Sequence, residues 1–215
     1  MAMPTASSPD LLDRTHPGAR AQLKRRMLRA ALACFNERGI AATTIEDILT
    51  RSEASVGNLY HHFGSKEGLV AALYFCALDD QSALTEAAWA QARSARDGVA
   101  ALVGGYVDWV SAQPEWARFL FQARAVVASG PQGAELTSRN RQRARQWMAW
   151  FAVSERMQAL QAWPAELFPS LVIGPAENYC RAWLSGRVKG VPQVHREVLI
   201  EAAWRSVAAD AAPAF

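Results

Sequence analysis

The sequence predicts an all-α chain: an N-terminal three-helix head containing a helix-turn-helix, followed by a larger helical domain. Apolar residues recur at helical spacing along most of the chain, and no stretch shows the two-residue alternation of a strand. The second observation is local. Between Thr43 and Lys66, the run TTIEDILTRSEASVGNLYHHFGSK sets caps, apolar faces and stops close together, as two short helices on a tight turn require.

Within that run, Thr43 is a cap candidate, and Glu46 three residues on completes a capping box. Ile45, Ile48 and Leu49 then share one helix face. Ser52-Glu53-Ala54 breaks the pattern, and Ser55 is the next N-cap. Val56, Leu59, Tyr60 and Phe63 recur at i, i+3, i+4 and i+7, which gives the second helix one buried face. Gly64 stops it, and Ser65 caps the helix that follows. In a helix-turn-helix the second helix lies in the DNA major groove. Many helical hairpins share this pattern without touching DNA.

The residues themselves narrow the choice. ASVGNLYHHFGSKEGL, from Ala54 to Leu69, closely resembles the signature of the TetR-type transcriptional regulators. Ser55, Gly57, Asn58, Leu59, Tyr60, His62, Phe63, Ser65, Lys66, Glu67 and Leu69 fall on that pattern, as do the Thr43-Thr44 pair and Phe35 to Gly39 upstream. The resemblance is specific from about Arg20 to Leu78. Two positions depart from it. Ser52-Glu53 stands where the family has Ala-Gly, and Leu49 stands where an Ala packs. A non-glycine turn residue needs a turn that avoids positive φ, or it accepts some strain.

The resemblance implies a DNA-binding surface. Val56, Gly57, Asn58 and His61 would face bases, and Thr44, Tyr60 and Lys66 would contact phosphates, with Thr43 and Ser55 alongside them. Gly57 permits close backbone approach, Val56 suits a thymine methyl, and Asn58 or His61 suits a base acceptor or a phosphate. Lys66 sits at a helix start, where free backbone N–H groups also attract phosphate. Leu59 and Phe63 would be core, and His62 would pack or cap inside the head. The partner implied is double-stranded DNA with a palindromic operator, read by a homodimer whose heads meet half-sites roughly 34–36 Å apart.

Charge agrees in sign. The 215-residue chain carries net +3, and all of it lies in residues 1–66, with nine Lys/Arg against six Asp/Glu. A solvated helix face could show the same bias. The three cysteines, Cys34, Cys76 and Cys180, are too few and too scattered for a disulfide framework or a zinc site, so no metal is expected. The adjacent His61-His62 pair points about 100° apart on a helix, a poor metal site. No apolar run reaches membrane-span length, and residues 1–18 lack the apolar core of a secretion signal, so a cytoplasmic location is expected.

In chain order, residues 1–18 read as a flexible arm, 19–64 as the helix-turn-helix domain and 65–215 as a helical ligand-binding and dimerisation domain. Basic residues Arg14, Arg20, Lys24, Arg25 and Arg26 cluster where the arm ends, either as a solvated helix start or in reach of DNA. A first helix spans Ala19 to Arg38, with Met27, Ala31, Cys34 and Phe35 as its inner stripe. The helix from Ser65 runs to Trp89 or beyond, broken near Asp79-Asp80. Helices follow over Val99–Ala112, from Pro114 to about Ser129, over Glu135–Leu160, over Pro175–Gly186 and over Pro192–Ala209. In the long one, Ala144, Trp147, Met148 and Phe151 form the apolar face.

The family places a pocket in the second domain, where most aromatics lie. Tyr106, Trp109, Trp116, Phe119, Gln122, Trp147, Trp150 and Phe151 are its candidate lining for an unknown small-molecule effector, and any one of them reads more readily as ordinary core. The family also pairs the last two helices with a second subunit. Ala176, Tyr179, Cys180, Trp183, Val198, Ala202 and Arg205 are the candidate dimer interface. The expected function is a repressor released from its operator by that effector; the alternative is a DNA-binding protein without one. No nucleophile–base spacing, phosphate-binding loop or metal cluster supports an enzyme or a cofactor.

Overall fold

The computed structural model describes residues 10–209, which fold into helices joined by short turns; the only β pairing among them is an isolated bridge between Leu160 and Ala208. The helices are α1 (Leu11–Thr15), α2 (Gln22–Arg38), α3 (Ile45–Ser52), α4 (Val56–Phe63), α5 (Lys66–Trp89) and α6 (Ala95–Ala112). They continue with α7 (Pro114–Ser129), α8 (Gly133–Phe151), α9 (Ser154–Gln158), α10 (Phe168–Val172), α11 (Gly174–Leu184) and α12 (Arg196–Val207). Packing divides the chain into two compact units. Among the described residues, one takes residues 10–80 with Phe119–Gly133, and the other takes Gln81–Arg118 with residues 134–209. This division does not follow the caps: it falls within α5 and within α7.

In the first unit, α2 lays Met27, Leu28, Ala31 and Phe35 into the core, none of them accessible. Ile48 of α3, Leu59 of α4, and Leu69 and Leu73 of α5 complete that core, each at 0% exposure. Phe119 stacks on Phe35 with ring centroids 5.8 Å apart.

The arm differs from its sequence reading. Residues 1–9 lie outside the described residues, but Leu11–Thr15 is a helix, capped by Asp10, and Leu11 and Leu12 are buried at 1% and 0%. Arg14 pairs with Asp80 at 2.8 Å, Arg29 with Asp10 and Asp13, and Arg25 with Asp13 at 2.9 Å. Arg25 also donates to the carbonyls of His16 and Gly18. Exposed ion pairs each contribute about 0–1 kcal/mol, whereas a buried leucine contributes roughly 1.5–3 kcal/mol. The leucine pair therefore docks the helix, and the charges orient it. Arg14 holds the Asp80 carboxylate, and α5 runs unbroken where the sequence suggested a break.

In the second unit, α6 buries Val99, Leu102, Val103, Val107, Trp109 and Val110. Against it α12 turns Ile200, Ala203 and Val207 inward. The Arg196 guanidinium lies so close to Gly104 that a Cβ there would come within 2.4 Å of it, and Arg196 pairs with Asp108 at 3.0 Å. The long helix expected to reach Leu160 stops at Phe151 as α8. After it the chain bends through Val153 into α9 and pairs its backbone with residues 207–209. Of the apolar face read for α8, Phe151 is buried and Trp147 half-buried, while Ala144 and Met148 are exposed. All three cysteines are free and buried; burial pushes the Cys180 thiol up to about 12, with Glu177 adding to the shift.

Leu12→Ala should lower the unfolding free energy by about 2–5 kcal/mol, read by urea denaturation. His16, with Nε2 3.3 Å from Cys76 Sγ, has its pKa lowered by burial and then by Lys24 and Arg25. Below its unfolded value of 6.5 the unfolded chain takes up a proton that the folded chain refuses. Stability should therefore be flat above that pH, fall as the pH drops from it toward the lower folded value, and fall less in His16→Gln.

Candidate nucleic-acid interface

Two eight-residue helices, α3 and α4, build the candidate interface. The capping box lies one residue later than the sequence suggested. Thr44, not Thr43, caps α3, accepting from the Asp47 N–H at 3.1 Å, and Asp47, not Glu46, accepts the Thr44 N–H at 2.9 Å. Those bonds, with Arg38 at 2.6 Å, hold the Asp47 carboxyl below its ordinary range, the Thr44 N–H contributing most. Thr43 is 1% exposed, and its hydroxyl donates to the carbonyls of Cys34 and Gly39. It stitches the end of α2 and faces inward, so it is not on the DNA-facing surface on which the sequence placed it.

The turn settles the question left by its missing glycine. Glu53 adopts φ 53° and ψ 34°, the left-handed region, and no other non-glycine residue described has positive φ. Ser55 then caps α4, accepting from the Asn58 N–H at 3.2 Å, and Gly64 ends it.

Leu59 is the only residue of α4 that is fully buried. Val56 is 55% exposed and Tyr60 48%, so the apolar repeat does not bury one face as the spacing suggested. Ser55, Val56, Gly57, Tyr60 and His61 are exposed, together with Thr44, whereas Asn58 is half-buried. His62 is also exposed, edge-on to His61 at 5.2 Å, and does not pack or cap inside the head. A Cβ on Gly57 would meet only Ser55 Oγ, at 3.9 Å, so nothing in its own fold requires glycine there. Lys66 is half-buried, with Nζ donating to the Ala41 carbonyl at 3.4 Å. The free N–H groups beside it are partly used: Ser65 Oγ accepts from Gly68.

The remaining candidates separate. Of the residues the sequence offered for a dimer interface, Val198 is 69% exposed, and Ala202 and Arg205 are also exposed, as is Val194 at 77%. Ala176 and Cys180, at 1% and 0%, belong to the core of their own unit because α11 turns them inward, and are not surface. Tyr179 and Trp183 are half-buried, and the Tyr179 hydroxyl donates to the Gly190 carbonyl.

The pocket candidates fall in both units. Phe119 and Gln122 lie in the first, where Phe119 is core and Gln122 is exposed on α7. In the second unit Trp109 and Trp116 are buried at 2% and 5%, and Tyr106 is half-buried. Trp147, Trp150 and Phe151 join an aromatic cluster with Trp89 and Phe168. The sequence reading missed Trp89 as a member, because α5 shows no one-sided apolar pattern from which its facing could be read. Among the described residues no group of three or more His, Cys, Asp or Glu is placed to hold a metal, and no helix is long and apolar enough to cross a membrane.

Comparison with known proteins agrees with this geometry. The family model described as bacterial regulatory proteins, tetR family, matches residues 27–73. An HTH-type transcriptional repressor of Mycobacterium tuberculosis is 43% identical over 60 residues, covering 28% of this chain and 32% of that protein. The HTH-type transcriptional repressor KstR2 of the same species is 50% identical over 44 residues, 20% of this chain and 22% of that protein. The chain thus spans about a third or less of the length of the curated relatives it matches. Solved structures share the fold over more of the chain. A TetR family regulator of Marinobacter aquaeolei gives a TM-score of 0.71 at 20% identity over 88% of this chain and 97% of that one. The ketosteroid transcriptional regulator KstR2 of M. tuberculosis gives 0.68 at 22% identity over 86% and 95%.

A left-handed conformation costs a side-chain-bearing residue about 1–2 kcal/mol, part of which glycine returns through its greater unfolded entropy. Glu53→Gly should raise stability by about 0.5–1 kcal/mol, read by thermal melting; a loss of stability would show that the turn is not strained.

Proposed function

We propose that this chain, which belongs to the TetR-type transcriptional regulators by its head, is a repressor that binds a palindromic operator as a dimer and leaves it when a small molecule binds its second unit. One observation carries the DNA reading: α4 is anchored by Leu59 and turns Val56, Gly57, Tyr60 and His61 outward on one exposed surface. The open Gly57 supports close approach of its backbone to a base edge, since its own fold leaves room for a side chain. Val56 would meet a thymine methyl, Tyr60 and Thr44 would hold phosphates, and Lys66 would supply charge at the start of α5.

The outward line of Val194, Val198, Ala202 and Arg205 supports pairing with a second copy, because valines this exposed are seldom left open to water in contiguous rows. Similarity to proteins named as repressors supports the sign of regulation. A protein of the same fold named as a ketosteroid transcriptional regulator is one ground for expecting an apolar effector.

Selection of bound duplex from a random pool should return an inverted repeat with half-site centres roughly 34–36 Å apart; a single half-site would overturn the dimer reading. Affinity should fall by roughly a thousandfold or more between 50 and 200 mM salt. Val198→Asp should give a monomer in sedimentation and lose operator affinity at least about a hundredfold, while the melting of its head stays unchanged.

A further inference from the structure

Among the described residues of the second unit, two buried groups have nothing to donate to, the Ser111 hydroxyl and Trp89 Nε1, and the indole stands among aromatic rings. Trp89 Nε1 is shielded from solvent and has no hydrogen-bond partner. An indole N–H in that state is costly and calls for a cause. Its ring stands in a mesh of aromatic side chains: Trp147 at 6.0 Å, Trp150 at 5.2 Å and Phe151 at 5.8 Å between centroids, with Phe168 a further 5.0 Å from Phe151. Trp150 lies against the α6 backbone so tightly that a Cβ on Gly98 would come within 2.4 Å of it. The Arg156 guanidinium sits 3.9 Å from the centroid of the Trp150 ring and donates to the Trp150 carbonyl at 2.9 Å.

The helix that brings in three of these rings is lightly held. Of the nineteen residues of α8, only Leu136 and Phe151, near its two ends, are buried. A segment with so little buried surface opens at small free-energy cost.

Resting on the effector reading above, we infer that the mesh of Trp89, Trp147, Trp150, Phe151 and Phe168 is the effector site, and that its ligand class is a flat, apolar, fused-ring compound bearing a carbonyl oxygen that accepts from Trp89 Nε1. The rings supply faces for stacking, and the orphan N–H selects an acceptor. Arg156 closes the outer face over Trp150, where a ligand must displace it. A site built to donate to an oxygen rejects the analogue that lacks it, because its N–H is then left unpaired again.

The test uses three probes of matched size, 2-acetylnaphthalene, 2-naphthoate and 2-ethylnaphthalene, titrated against the intact protein by calorimetry and tryptophan emission. The two oxygenated probes should bind the wild type about three- to tenfold more tightly than the hydrocarbon. Trp89→Phe should remove that preference and leave hydrocarbon binding unchanged, which also reports that the variant is folded. Equal binding of all three probes by the wild type, or an undiminished preference in Trp89→Phe, overturns the assignment. Operator release is measured in parallel. Selective binding without release leaves this site standing and overturns the release reading. Release that ignores Trp89→Phe keeps the release reading and overturns this site.

Discussion

Helices of eight residues do not persist alone in water, so α3 and α4 exist because something else holds them. That something is the core of the first unit, where Ile48 and Leu59 are buried with Met27, Leu28, Ala31 and Phe35 of α2, all at zero exposure. Everything outward on α4 is a consequence. With Leu59 pinned, the 3.6-residue period sends Gly57 and His61 to the far side of the helix, and Val56 and Tyr60, which flank Leu59, stay exposed at the edge of the core. The αL kink at Glu53 then fixes the angle between the two helices with a single residue.

Much of this was legible in the sequence, and the parts that were not have physical reasons. The caps Ser55, Gly64 and Ser65 were readable because their chemistry is local. Thr43 and Thr44 were not separable: both are N-cap residues, both have an acid three positions on, and only tertiary packing decides which hydroxyl turns in. Val56 and Tyr60 fitted the spacing of a buried stripe, yet α4 is too short and too near the surface to bury more than Leu59. Leu11-Leu12 is a two-residue signal amid polar and small neighbours, too brief for any periodicity, so α1 was read as arm. The division of the aromatic residues between the units was hidden as well. Periodicity says which residues share a face, but it does not say that α7 lends Phe119 to Phe35 while other rings gather around Trp89.

The basic residues near the start of the chain illustrate how composition misleads when read alone. The excess positive charge of the first segment is real, but Arg14, Arg25, Arg29, Arg38 and Arg51 each face a carboxylate of the same unit. The candidate interface consequently owes little to raw charge. Its chemistry is that of a short helix with a glycine, a valine, a tyrosine and two histidines on view, a surface suited to shape and edge contacts more than to bulk attraction.

The guanidinium lodged over Gly104 has a reach beyond its own ion pair. Arg196 opens α12, and the inward wedge it makes against α6 clocks the helix about its axis. Rotation by even one residue's worth, about 100°, would swing the guanidinium out of its seat. The bearing on which Val198 and Ala202 look outward is thus dictated from behind, by a cation on the concealed flank. Whatever lies down on that ridge of valines inherits an azimuth chosen by an arginine it never touches.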